Sequence, residues 1–380
     1  MKIGILTQPL HKNYGGILQN YALQKILKDM GHKVWTIDRN FNSHWYSKYA
    51  SIIKRILLKP FNRNAPIRVR PTKKEEEIIT QYIRAFIKNH IQTTEKITTT
   101  KQLTRLHQKY AFEAYIVGSD QVWRPRYSPC LTNYFLDFVE NDHEIKKIAY
   151  AASFGVDEWE FTQEQTKECA QLAKQFHAIS VREDSGVELC KKYLDVDAVH
   201  LLDPTLLLRK EDYLSLINNA STTPSKGDLF VYILDEDEKK TNIVNEVAKQ
   251  KNLTPFELLP KQFLIEADKN EIEKCILPPI EQWLRAFVDA EFIITDSYHG
   301  AIFSIIFEKP FLAIGNEDRG LTRFTSLLNL FDIENRLIYF PIKLTNYSII
   351  DKAIDYSHVN SLHQEEKEKS INFLSSSLKY

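Results

Sequence analysis

Glycine is scarce in this chain, with 11 in 380 residues, under half the ~7% usual in soluble proteins. A chain so poor in glycine is neither low-complexity nor dominated by loops. It also has few places where backbone can come against a ligand, so those few places are informative. Cysteine is scarce too. Cys130, Cys169, Cys190 and Cys275 are far apart and form no C-x-x-C pair, which excludes a disulfide framework or a zinc ribbon and predicts scattered reduced thiols. No stretch approaches the ~18 uninterrupted apolar residues of a membrane span. The opening MKIGILTQPL carries one lysine, a short apolar run and no small-residue cleavage site, unlike a secretion signal. A cytoplasmic protein is expected, unless a surface holds it. Net charge is absent as well: 50 basic residues offset 50 acidic ones, so nothing draws the whole molecule toward nucleic acid.

The length allows two domains, each with a core of its own. Lys2–Thr7 reads as a strand, Asn13-Tyr14-Gly15-Gly16 as a loop, Ile17–Met30 as a helix closed by Gly31, and Lys33–Asp38 as a second strand. That unit is the building block of a parallel sheet. Ala114–Val117, Lys147–Ala152 and Ala178–Arg182 read as further strands, with a helix over Thr162–Phe176. A second series follows: strands at Leu229–Leu234, Pro255–Leu259, Phe292–Thr295 and Pro310–Ile314, with helices at Glu236–Gln250, Ile280–Asp289, His299–Glu308 and Ser326–Leu330. Leu201–Lys226 separates the two series and ends in the linker-like Ser221–Gly227. The expected organisation is an N-terminal domain over 1–210, a C-terminal domain over 225–350, and a helix over 361–378 packing back across the body.

One segment departs from the pattern. Lys48–Lys74 holds nine Lys or Arg and no acid, interleaved with an apolar stripe that includes Ile52, Ile56 and Phe61. The stretch 41–74 describes either a basic amphipathic helix for an anionic membrane surface or an ordinary helix with a solvated basic face. No nucleic-acid-binding module accompanies it.

Ligands of parallel sheets bind at the carboxyl ends of strands, and four such junctions carry unusual residues. Asn13-Tyr14-Gly15-Gly16, with Gln19, can bring backbone N–H groups to a substrate, or can simply be a tight turn. Neither G-x-G-x-x-G nor a P-loop is present, which disfavours a dinucleotide dehydrogenase or a P-loop NTPase. Gly118-Ser119-Asp120-Gln121 can hold sugar hydroxyls, with Asp120 accepting a proton, or Asp120 can cap a helix. Arg182 suits a carboxylate or phosphate, or pairs with Glu183 or Asp184. In Asp296-Ser297-Tyr298-His299-Gly300, the histidine sits at a helix N-terminus, where an anion is favoured, or is a satisfied structural residue. Downstream, Arg319 and Arg323 can point at the same cleft.

Taken together, KIGILT, NYGGILQNYALQKIL, YIVGSDQVW, SVREDSG, LLDPTLLL and FIITDSYHGAIFSIIFEKPFLAI resemble, in order, the polysaccharide pyruvyl transferase family. The resemblance implies an α/β fold like that of GT-B glycosyltransferases, with two Rossmann-like parallel-sheet domains facing a central cleft. It implies phosphoenolpyruvate as donor, and as acceptor a sugar of a capsular or exopolysaccharide repeat unit or its lipid-linked precursor. The products are a cyclic pyruvate ketal and phosphate, and neither cofactor nor metal is expected. Arg182 matches the family's arginine in S-x-R-E, and His299 matches its histidine as the acid, with Asp120 as the third catalytic candidate. Substrate contacts are expected from Asn13, Tyr14, Gly15, Gly16, Gln19, Ser119, Gln121, Ser297, Gly300, Arg319 and Arg323. Ser297 departs from the arginine that many members carry two residues before the histidine; Arg319, Arg323 or Lys309 can replace that charge. Two other readings stay open: a GT-B glycosyltransferase using a nucleotide sugar, and a non-catalytic assembly protein of the same pathway, held at the membrane through Lys48–Lys74.

Overall fold

The protein is described by a computed structural model covering residues 1–41, 71–139, 142–260, 269–315, 320–339 and 348–379. Among these residues eleven short strands fall into two sheets, and every pairing between them is parallel. The first sheet runs β2-β1-β3-β4-β5-β6, with β1 at Lys2–Leu6, β2 at Lys33–Thr36, β3 at Ala114–Val117, β4 at Lys146–Ala152, β5 at Ala178–Val181 and β6 at Val199–His200. The second runs β11-β10-β9-β7-β8, with β7 at Leu229–Tyr232, β8 at Pro255–Phe256, β9 at Phe292–Thr295, β10 at Phe311–Ile314 and β11 at Leu337–Ile338. The central strands read AYIV, LFVY, FIIT and FLAI and are buried along their whole length. A parallel sheet covered by helices on both faces requires such continuous apolar runs.

Strand order reverses between β1 and β3 in the first sheet, and between β7 and β9 in the second. At those points neighbouring loops diverge and leave a crevice beyond the strand ends. The loops after β1 and β3 carry Asn13 and Asp120, and the short loop after β9 leads into the helix whose first turn carries His299.

Several elements differ from the sequence expectation. The first helix spans Tyr14–Asp29, with Asn13 as its N-cap, so Gly15 and Gly16 lie in its first turn instead of in a loop. Helices at Lys73–Ile79, Gln81–His90 and Thr100–Tyr110 fill the interval before β3, and Lys210–Asn218 forms a helix inside the stretch read as a boundary. The helix expected at Ser326 begins at Leu321. The basic amphipathic segment lies outside the described residues, apart from its end, where Lys73 and Lys74 open a helix continuing with three glutamates. Among the described residues no helix is long and apolar enough to cross a membrane.

The two halves share one apolar core. Trp283 is fully buried between Tyr14 of the first half, at 5.6 Å and nearly parallel, and Tyr232, Phe287 and Phe303 of the second. The final helix, Tyr356–Leu378, crosses back to the first half: the Leu202 N–H donates to Ser370 Oγ at 3.2 Å, and His363 Nε2 donates to the Leu206 carbonyl at 2.6 Å.

Polar and backbone contacts close the seam. The Asp184 N–H donates to Ser326 Oγ at 3.0 Å. Gly155 and Gly320 meet backbone to backbone, both at positive φ (+76° and +87°), and a Cβ on Gly320 would collide with the Gly155 carbonyl. At Gly15 a Cβ would overlap the His299 ring and come within 2.7 Å of the His299 Cβ. Alanine at a helical position normally gains up to ~1 kcal/mol over glycine. Gly15→Ala should instead lower the melting temperature and enlarge the radius of gyration in X-ray scattering, as the halves are forced apart. A variant as compact as the parent and more stable would show that the two helices do not meet there.

Candidate active site

Four strand ends converge on one buried charged cluster. Arg182 follows β5, and its guanidinium is 2% exposed. Nη1 donates to Asp203 Oδ2 at 3.0 Å, Nε lies 3.5 Å from Glu183 Oε1, and Nη2 stands 4.0 Å from Asp120 Oδ1 without completing a hydrogen bond. The pairing with Glu183 weighed against a ligand role therefore exists, yet one nitrogen of the fork stays open. Burial works against the Arg182 charge, but the facing Tyr298, Glu183, Asp203 and Asp120 more than offset it, and its proton is held above the ordinary arginine range.

Asp203 joins the halves. Oδ1 accepts from the Thr205 N–H at 3.0 Å and from Thr205 Oγ1 at 2.7 Å, capping the short helix Pro204–Leu207. Oδ2 receives Arg182, and it lies 3.5 Å from His299 Nε2 in the other half and 3.4 Å from Ser119 Oγ. Its complete burial favours the neutral acid, but His299 and Arg182 together with the Thr205 N–H outweigh that and hold the carboxyl below its usual range.

His299 occupies the first turn of the helix Tyr298–Ile306, where Ser297 Oγ caps by accepting from the Gly300 N–H at 3.4 Å. The ring is 6% exposed, and its Nε2 has no hydrogen-bond partner. Next to it, the Tyr298 ring is approached by two guanidinium groups, Arg182 at 4.7 Å and Arg323 at 5.6 Å, one from each half. Such contacts hold a cation over the ring face by electrostatic attraction. Burial, and then the nearby Arg182 charge, push the Arg323 pKa down to about 10.

Beside this cluster opens a cavity of about 430 Å³ at the switch point between β1 and β3, with Asn13, Gly16, Asp120 and Gln121 among its lining residues. Arg182, His299 and Arg323 are not part of that lining; they lie behind it. Asp120 belongs to both, facing the cavity while it approaches Arg182. Its Oδ1 accepts from the Gln121 N–H at 2.8 Å, and its Oδ2 from Asn13 Nδ2 at 3.5 Å.

Several other expected substrate contacts have polar groups engaged within the fold. The fully buried Gln19 donates to Thr7 Oγ1 and the Gly16 carbonyl and accepts from the Ser119 N–H at 3.1 Å, tying three segments together. Tyr14 donates its hydroxyl to the Pro278 carbonyl at 2.7 Å. Ser119 Oγ donates to the Ala151 carbonyl at 3.2 Å. Ser297 caps its helix, and Gly300 packs on Thr295. Lys309 Nζ donates to the Val288 and Ala290 carbonyls, both at 2.8 Å, at the end of the helix Ile280–Asp289. Arg319 lies outside the described residues. Asp296 accepts from the Leu234 and Asp235 N–H groups and from Lys240 Nζ at 2.8 Å.

Sequence reasoning did not single out Asp203, Glu183 or Tyr298 as functional. Asp-Pro after an apolar run signals a cap, which Asp203 is; its second oxygen is visible only in three dimensions. Among the described residues no group of three or more His, Cys, Asp or Glu side chains is disposed to hold a metal ion.

The UDP-GlcNAc 2-epimerase from Neisseria meningitidis, solved with UDP-GlcNAc bound, aligns over 100% of this chain and 99% of its own at 10% identity with a TM-score of 0.51. The UDP-GlcNAc 2-epimerase from Methanocaldococcus jannaschii, in complex with UDP-GlcNAc and UDP, aligns over 99% and 100% at 12% identity and a TM-score of 0.46. Spinosyn forosaminyltransferase SpnP aligns over 96% and 94% at 11% identity and a TM-score of 0.45. The likeness to the Neisseria enzyme shows the fold alone, a GT-B-like pair of parallel-sheet α/β halves. No curated protein sequence matches the chain. A family model described as polysaccharide pyruvyl transferase matches residues 13–318, from the cap of the first helix to just beyond β10, and the chain belongs to that family.

Proposed function

We propose that the protein transfers the pyruvyl group of phosphoenolpyruvate to two hydroxyls of a polysaccharide sugar, or of its lipid-linked precursor. A cyclic ketal forms and inorganic phosphate leaves. The observation carrying this reading is the pair of guanidiniums, the buried Arg182 and the half-buried Arg323, both against the Tyr298 ring beside His299. A donor with both a carboxylate and a phosphate calls for two planar cationic forks and a proton source, and the cluster supplies them.

The chemistry assigns each group a role. A proton passes to the methylene carbon of the donor, giving positive character at C2. One sugar hydroxyl adds there, phosphate departs, and the second hydroxyl closes the ketal. Of the two hydroxyl protons, one balances the proton given to carbon and the other leaves with phosphate. His299 is the acid, its Nε2 unbonded and facing the Asp203 carboxylate at 3.5 Å. Asp120, facing the cavity, takes a hydroxyl proton. Arg182 and Arg323 bind the donor anions and stabilise charge as phosphate separates. Both Arg182 and His299 are nearly sealed, so the donor reaches them as the halves part along the seam.

The test is phosphate release from phosphoenolpyruvate that requires a sugar acceptor. His299→Gln should lower kcat by about 10²–10⁴-fold, the usual contribution of a general acid, with donor binding retained. Wild-type turnover in His299→Gln would remove it from the mechanism. Arg323→Gln should weaken phosphoenolpyruvate binding by about tenfold or more, the scale of one lost charge-assisted contact, while kcat changes less; unchanged affinity would restrict the donor site to Arg182. Phosphoenolpyruvate should also raise the melting temperature, whereas stabilisation by a nucleoside diphosphate and not by phosphoenolpyruvate would favour glycosyl transfer.

A further inference from the structure

The cavity at the β1–β3 switch point has a composition that donor chemistry does not explain. Its floor is polar and nearly sealed: Asp120 is 7% exposed and Gly16 is buried. Its rim carries two exposed cations, Lys12 and Arg126, with His11 beside them as a ring donor whose pKa is lowered by burial and then by Lys96. Among the described residues of that lining, Asp120 is the one acidic side chain. At about 430 Å³ the space falls within the ~300–1,000 Å³ range of small-molecule sites.

Two aromatic rings complete the wall. Phe41 is 49% exposed, an unusual state for a phenylalanine, and it lines the cavity together with Tyr127. The Tyr127 ring is held in place by Arg124, whose guanidinium sits 5.1 Å from the ring centroid. Arg124 in turn is fixed by two bonds of 2.9 Å to the Glu160 carboxylate. It also donates Nη1 to Gln121 Oε1 at 3.2 Å, which turns the Gln121 amide nitrogen away from Arg124 as a remaining donor. Rings, amide donors and a carboxylate base suit a pyranose, whose faces are apolar and whose edges are hydroxylated.

The cations are the unexplained part, because a neutral sugar has no use for them. Lys12 is engaged only loosely, 3.7 Å from Glu76, with both side chains about half exposed; such a pair is worth ~0–1 kcal/mol and yields to a stronger anion. We infer that the acceptor bound in this cavity is a sugar carrying a phosphate-type anion, its hydroxyls directed at Asp120 and its phosphate seated on His11, Lys12 and Arg126. This rests on the pyruvyl-transfer reading, which makes the cavity beside Asp120 the acceptor side, and it adds the charge of the acceptor.

Calorimetric titration of the full chain tests it, with the 1-phosphates of glucose, galactose and N-acetylglucosamine set against their methyl glycosides. At least one sugar phosphate should bind about tenfold or more tightly than its neutral partner. Lys12→Ala combined with Arg126→Ala should abolish that preference, leave affinity for the methyl glycoside unchanged, and leave phosphoenolpyruvate binding at the parent value. Both positions are exposed, so the fold should survive the substitutions. Equal affinities across every pair would overturn the inference, as would a phosphate preference that persists in the double variant. Loss of phosphoenolpyruvate binding in the double variant would assign the rim to the donor, ending this proposal while leaving pyruvyl transfer standing. A sugar joined through a diphosphate to a short prenyl chain separates the two sources of such an anion: tighter binding than the sugar phosphate assigns a lipid-linked acceptor, and equal binding a soluble one.

Discussion

The cleft depends on one carboxylate. Asp203 caps a short helix with one oxygen and with the other gathers Arg182, Ser119 and His299. Two of those three neighbours come from the first sheet and the third from the second. Leaving a buried arginine without its partner costs ~3–5 kcal/mol, so the ion pair is a geometric commitment as much as a source of stability. With Arg182 fixed by Asp203 and Glu183, the Tyr298 face has a definite place to pack, and the helix carrying His299 is drawn to the first half.

The same closeness explains where backbone without side chains is required. The first helix carries two consecutive glycines in its opening turn, against intrinsic propensity. The His299 ring occupies the space where a Gly15 side chain would be. Gly155 and Gly320 repeat the arrangement lower in the seam, backbone on backbone. Scarce glycine therefore marks contacts between the halves more than loops that cradle a ligand. Gly16 and its neighbour Asn13, at the cavity, are where the two uses coincide.

Much of the fold was legible because parallel strands buried on both faces must be continuous apolar runs. Ala114–Val117 and Phe292–Thr295 were readable to the residue for that reason, and the placement of Arg182 and His299 at strand ends followed from them. Other elements were signalled but passed over: Thr72-x-x-Glu75 and Thr99-x-x-Gln102 are capping boxes, and both open helices. What the sequence could not convey was how polar groups pair across the chain. Gln19 has the composition of a substrate contact, yet it bridges Thr7 and Ser119, 112 residues apart. Arg323 stands in the first turn of a helix whose start was misplaced, so its side chain could not be directed before the structure placed it against Tyr298.

Charge is divided between the two compartments in a way that suits their tasks. In the inner cluster three carboxylates, Asp120, Glu183 and Asp203, surround two guanidiniums and an imidazole, so the guanidiniums are held in position before any ligand arrives. In the cavity the balance is reversed, with exposed cations and a single acid. Asp120 is the member common to both, at 4.0 Å from Arg182 and on the cavity floor. On the proposed reading, an anionic donor at Arg182 would take the open Nη2 that Asp120 faces without bonding. On that reading the donor's guanidinium and the acceptor's cavity have one side chain in common, Asp120, and the two substrates would meet there.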